Sequence, residues 1–204
     1  MSHERFPEKM AFLLNNPVRR FLSPPQRLLS KLNLHPSNVV VDFGCGPGFY
    51  TIPLAKIASR VIGVDVSTHM LEKAASYAKR SGVTIETIQT DGARITLPDG
   101  SVDLILLNHV FHEVENRNKV LEEFLRTLKP SGRLAVLEKT QGGVLSGKLG
   151  PPIMREGQIV EEIRTSGFAA VRIIPLGKNS VIIAHKEATD VERRILSDNS
   201  VRRT

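Results

Sequence analysis

The sequence predicts an α/β fold: a doubly wound sheet, mostly parallel, covered by helices on both faces and carrying one reversed strand near its end. Two observations lead there. Short aliphatic or β-branched runs alternate with helical stretches across residues 39–166, the pattern of strands buried between two helical layers. After residue 167 two apolar runs lie too close together for a crossover helix, so they must pair antiparallel.

In chain order, strands are read at 39–43 (VVVDF), 61–65 (VIGVD), 84–89 (TIETIQ), 102–108 (VDLILLN) and 132–138 (GRLAVLE). Helical stretches fall near 49–58, 68–80, 115–128 and 156–166. The last pair of strands, 168–174 and 180–185, is joined by a turn containing Gly177 and Asn179. Residues 1–38 read as an N-terminal helical extension, 39–186 as one domain, and 187–204 as a tail with few apolar anchors.

Composition narrows the function classes. A chain of 204 residues, 41% hydrophobic and 24% charged, buries roughly 70% of its unfolded surface as a single domain. No apolar run reaches the ~18 residues of a membrane span, and MSHERFPEKM lacks the core of a secretory signal, so the expected location is cytoplasmic. Cys45 is the only cysteine, which excludes an internal disulfide and a multi-cysteine zinc site. His3, His35, His69 and His185 show no ligand spacing, and no metal is expected.

The formal net charge of +7 is concentrated early: Arg5, Lys9, Arg19, Arg20, Arg27 and Lys31 stand against Glu4 and Glu8. Attraction of nucleic acid or an anionic substrate and a plain solvated surface both remain open. Stacking on bases has little to draw on, with two tyrosines, eight phenylalanines and no tryptophan.

The densest signal is VVVDFGCGPGFYT, residues 39–51. Gly44, Gly46 and Gly48 let the chain turn sharply from strand to helix while a ligand approaches the backbone. The following helix start suits an anionic group, and Asp42 adds a negative charge beside it. A dinucleotide fingerprint would need a third glycine where Phe49 stands, and a carboxylate would repel a pyrophosphate. The acid instead suits a ligand with positive charge, as S-adenosylmethionine has in its ammonium and sulfonium. Two further acids end successive strands. Asp65 is placed to accept both hydroxyls of a ribose, with a helix N-cap as its other reading, and Asp91 is placed to accept an adenine amino group.

From about residue 37 to 186, through VVDFGCGPGFYT, VIGVDVS, TDGARITLPDGSVDLILLNHVFHEV and LKPSGRLAVLE, the sequence resembles the class I S-adenosylmethionine-dependent methyltransferases of the type 11 group. The resemblance implies a Rossmann-like sheet of seven strands with an antiparallel last strand, and S-adenosylmethionine as cofactor. It implies that Asp42, Gly44 and Gly46 lie against the methionine part of the cofactor and that Gly48 opens the helix. Asp65 then holds the ribose, Val66 packs beside the adenine, Asp91 and Gly92 border it, and Asn108 touches the methionine end.

His109, His112 and Glu113 follow the fourth strand, beside the expected methyl group. His112 is the candidate catalytic base; structural readings also stand, with His109 facing the sheet, His112 packed on a helix and Glu113 capping the next helix. The loop KTQGGVLSGKLGPPIM, with Gly142, Gly143, Gly147 and Gly150 and the cations Lys139, Lys148 and nearby Arg155, is either a basic lid over an anionic substrate or a solvent loop. The functional expectation is methyl transfer to a small molecule. Methylation of RNA or protein, and cofactor binding without transfer, are the alternatives, and no oligomeric state is read.

Overall fold

The computed structural model describes residues 24–142 and 153–187. Seven strands form one sheet in the order β3-β2-β1-β4-β5-β7-β6. They are β1 (Val39–Phe43), β2 (Arg60–Asp65), β3 (Glu86–Gln89), β4 (Val102–Asn108), β5 (Leu128–Lys139), β6 (Ala169–Leu176) and β7 (Asn179–His185). β1 to β5 pair in parallel, whereas β7 runs antiparallel to both β5 and β6. The hairpin read from the sequence is present, closed by Gly177 and Lys178. The helices are α1 (Gln26–Leu29), α2 (Thr51–Leu54), α3 (Thr68–Arg80), α4 (Arg117–Thr127) and α5 (Glu156–Thr165).

Alternation along the strands builds two cores. Val41, Phe43, Ile105, Leu107, Leu134 and Val136 face α4 and α5, meeting Val120, Leu121, Phe124, Ile159 and Ile163. Val40, Leu104, Leu106, Ala135 and Leu137 face the other way, toward Leu28, Leu29, Leu32, Phe49, Tyr50 and Leu54. Strands buried on both faces in this way read in the sequence as continuous apolar runs.

The structure departs from the sequence reading in three places. The helix expected at 49–58 is only the four residues of α2: Tyr50 offers no side-chain cap, Pro53 has no N–H to give the Phe49 carbonyl, which delays the start, and past Leu54 the Lys56 and Ile57 amides bond three residues back in a tightened turn. A helix macrodipole grows by summing aligned peptides, so the anion-attracting helix start expected there is weak. β5 begins earlier than expected, at Leu128, and breaks register between its pairings with Val102 and Leu104. The caps are Ser67 for α3 and Asn116 for α4, each accepting an amide three residues on, so neither Asp65 nor Glu113 caps a helix. The extension and tail lie mostly outside the described residues, as do Gly143, Gly147, Gly150 and Lys148 of the expected lid. Among the described residues no helix is long and apolar enough to cross a membrane.

Phe124 joins α4 to the sheet, fully buried with its ring edge-on to Phe43 at 5.1 Å. Phe124→Ala is expected to destabilise the fold by about 3–5 kcal/mol. Urea unfolding checks this through a lowered midpoint at an unchanged slope.

Candidate functional site

The carboxyl ends of β1, β2 and β4 meet at one rim. Register aligns Phe43 with both Val64 and Leu107, and Asn108 with Leu137. The turn after β1 hangs on β2: the Gly44 and Cys45 amides both donate to the Val64 carbonyl, at 2.7 and 3.0 Å. Gly44 holds φ +72°, and a Cβ there would come 2.4 Å from Val110 Cγ2, so the loop after β4 rests directly on the turn. Gly46, at φ +51°, meets nothing within 4 Å and forms the open face. Gly48 has a different task, since a Cβ would contact Ala74 and Ile52 at 3.4 Å where α3 packs.

The acids are placed unequally. Asp42 is 2% exposed and accepts a 2.6 Å hydrogen bond from the Thr51 hydroxyl, so it acts from beneath the turn rather than in open space. Burial pushes its pKa up to about 6 against the Thr51 hydrogen bond, and the charge of Asp65 adds to the rise. The Asp65 carboxylate accepts from the Gly46 amide at 2.8 Å and the Ser67 amide at 2.9 Å. Each of its oxygens keeps acceptor capacity for a further hydroxyl. Val66 follows as an exposed apolar side chain, with Gly92 next to it: a Cβ on Gly92 would lie 3.8 Å from Val66 Cγ1. Asp91 is exposed, and its Oδ1 accepts from the Arg94 and Ala93 amides, which hold its pKa below the usual carboxylate value. Asn108 Oδ1 is buried without a hydrogen-bond partner, a polar atom at the methionine end of the expected site.

Beyond Asn108, His109 adopts φ +54° and donates its amide to the Leu137 carbonyl, turning the chain into a 3₁₀ turn, Phe111–Glu113. There the sequence reading missed a residue. Glu138, fully buried at the end of β5, receives the His112 amide at 3.3 Å and faces His112 Nδ1 at 3.0 and 3.2 Å. His109 Nδ1 stands 3.7 Å away, an electrostatic contact rather than a hydrogen bond. Burial alone would raise the Glu138 pKa, but the imidazoles of His109 and His112 bring it down to about 2. Burial opposes protonation of His112; the hydrogen bond and charge of Glu138 outweigh it and hold His112 above its ordinary value. The signal for Glu138 was an acid closing the apolar run LAVLE, the position that Asp65 holds in VIGVD.

These residues suit a nucleoside with a positively charged amino-acid arm. The glycine turn is open at Gly46, Asp65 keeps acceptor capacity on both oxygens, and Val66 and Asp91 offer an exposed apolar surface and an exposed acceptor. Among the described residues no cluster of three or more His, Cys, Asp or Glu is arranged to hold a metal.

Asp42 makes the site costly to the fold. With a folded pKa of about 6 against an ordinary 3.8, its contribution is fully favourable below the unfolded value and is lost as pH rises through 6. At pH 7.5 the cost is about 3 kcal/mol. Asp42→Asn is therefore expected to stabilise the cofactor-free protein at pH 7.5, by an amount that shrinks toward pH 4.5. Urea titrations at both pH values check it; a gain independent of pH would contradict the burial argument.

Comparison with known proteins agrees with this geometry. A family described as "Methyltransferase domain" matches residues 41–136, from β1 through β5. The chain is 33% identical over 110 residues to a ubiquinone/menaquinone biosynthesis C-methyltransferase of Hydrogenovibrio crunogenus, covering 52% of this chain and 43% of that protein. It is 38% identical over 111 residues to the trans-aconitate 2-methyltransferase of an Azoarcus species, covering 53% of this chain and 42% of that one. The chain thus spans less than half the length of these two relatives. A crystal structure of a SAM-dependent methyltransferase from Aquifex aeolicus superposes with a TM-score of 0.80 at 28% identity, covering 89% of this chain and 98% of that one. The sheet order, the glycine turn suspended from β2 and these likenesses agree in supporting a class I S-adenosylmethionine-dependent methyltransferase.

Proposed function

We propose that this protein transfers the methyl group of S-adenosylmethionine to a small-molecule acceptor in the cytoplasm. The observation that carries the reading is the rim itself: an open Gly46 whose amide is held by the Asp65 carboxylate, flanked by exposed Val66. When bound, the cofactor supplies a methyl group already activated by its sulfonium. The remaining work is positional, and orientation of reacting groups is worth up to roughly 7–11 kcal/mol.

In this reading Gly44 and Gly46 lie along the methionine arm, while Asp42 supplies negative potential from below. Asp65 orients the ribose; Val66, Asp91 and Gly92 border the adenine; the buried Asn108 Oδ1 gains the partner it lacks. His112 takes a proton from an acceptor that carries one. Two relatives named for small molecules favour a small acceptor. Methylation of RNA or protein is the second reading, on account of the basic residues before β1. Uptake of labelled methyl groups by a metabolite extract, against RNA and protein fractions, separates them. Cofactor binding without uptake by any fraction would leave a binding protein without transfer.

Asp65→Asn keeps the size of the side chain and removes its charge. Loss of charged acceptors costs about 1.5–3 kcal/mol, so affinity for S-adenosylmethionine is expected to fall about 10- to 150-fold. Calorimetry reads this, with NAD as the nucleotide expected not to bind the wild type. An unchanged affinity would remove Asp65 from the site.

A further inference from the structure

We propose that Glu138 is the positioning residue of the transfer site: it holds His112 with the proton on Nδ1, leaving Nε2 free to take a proton from a hydroxyl or carbon-acid acceptor. The inference rests on the methyl-transfer reading above. Its basis is geometric. Glu138 is wholly buried, yet both its oxygens lie within 3.2 Å of His112 Nδ1, and Oε1 also accepts the His112 amide. An ionised carboxylate has no proton to give, so the bond requires Nδ1 to be the donor. In the neutral ring Nε2 then carries the lone pair.

The opposite nitrogen is not engaged by Glu138. Nε2 is 3.7 Å from Oε1 of Glu113, whose side chain is about half exposed. The loop that carries the ring is seated on the cofactor turn through Val110 and Gly44. The other charged or titratable groups near His112 are His109 and Arg117. Arg117 is engaged elsewhere: its Nε donates to the Phe111 carbonyl at 2.9 Å and its Nη1 pairs with Glu162 at 3.3 Å.

This arrangement selects an acceptor chemistry. A neutral amine attacks with its own lone pair and a thiol ionises readily, so neither needs a fixed imidazole base. A hydroxyl, or a carbon beside an activating group, is a weak nucleophile until its proton leaves. His112 Nε2 accepts that proton; the pair freed from the O–H or C–H bond forms the new bond to the methyl carbon, and the C–S pair stays on sulfur. The imidazolium, stabilised by Glu138, later gives the proton to solvent.

The test is nitrogen NMR of the histidine rings in the full chain, with His112 assigned by the signal lost in His112→Gln. The expected wild-type spectrum shows Nδ1–H with an unprotonated Nε2 above a midpoint higher than 6.5. In Glu138→Gln that midpoint is expected to fall by about one pH unit or more, with affinity for S-adenosylmethionine within twofold of wild type. A wild-type ring carrying its proton on Nε2, or an unchanged midpoint in Glu138→Gln, overturns the proposal. The wild-type spectrum is decisive even if the variant does not fold. With methyl-¹³C cofactor and the extract, a product methyl on oxygen or carbon is expected; one on nitrogen or sulfur overturns the acceptor class. Failure of the cofactor to bind would instead refute the methyl-transfer reading, so the two failures are distinct.

Discussion

Everything at the rim depends on the grip that the end of β2 has on the turn after β1. The Val64 carbonyl takes two amides of that turn and the Asp65 side chain takes a third, from Gly46. This is feasible only because parallel pairing sets Phe43 beside Val64 and leaves Asp65 one residue beyond. The turn so held presents Gly46 outward and Gly44 inward. The inward position, lacking a Cβ, lets Val110 close on it and brings the loop after β4 over the cofactor side. Asp65 thus shapes the turn as well as offering acceptors to a ligand.

Two buried acids show how local partners decide the charge state. Asp42 and Glu138 are almost equally hidden from water, yet burial lifts one to about 6 while its neighbours bring the other to about 2. Asp42 is met by the neutral hydroxyl and backbone of Thr51 and feels the repulsion of Asp65. Glu138 has two imidazoles and an amide. The desolvation penalty is common to both, and only Glu138 has imidazoles beside it to offset it. In the proposed reading a cationic ligand supplies what Asp42 lacks, which couples its ionisation to binding. Glu138 is complete within the protein and stays ionised at neutral pH.

The rim also uses both faces of the sheet. By alternation Asp42, Asp65 and Asn108 fall on the α1–α2 face, whereas Glu138 follows Val136 toward α4 and α5. The left-handed conformation of His109 turns the chain just past Asn108. The turn carries the chain from Asn108 on one face to His112, which meets Glu138 on the other.

The sequence by itself determined the fold class, because continuous apolar strands, intervening helices and a tight final hairpin leave few ways to bury the chain. It also determined the glycine turn and the strand-end acids, since backbone freedom and chain position are local properties. Short-range chemistry misled it at α2, where Pro53 and an uncapped start override an apolar pattern. Only the tertiary structure decided which acids are buried, which glycine faces open space, and that Glu138 meets His112 across 26 residues of chain. Such pairings come from strand register and the loop's seating on the turn, both set by long-range packing, and residue spacing along the chain carries no record of them.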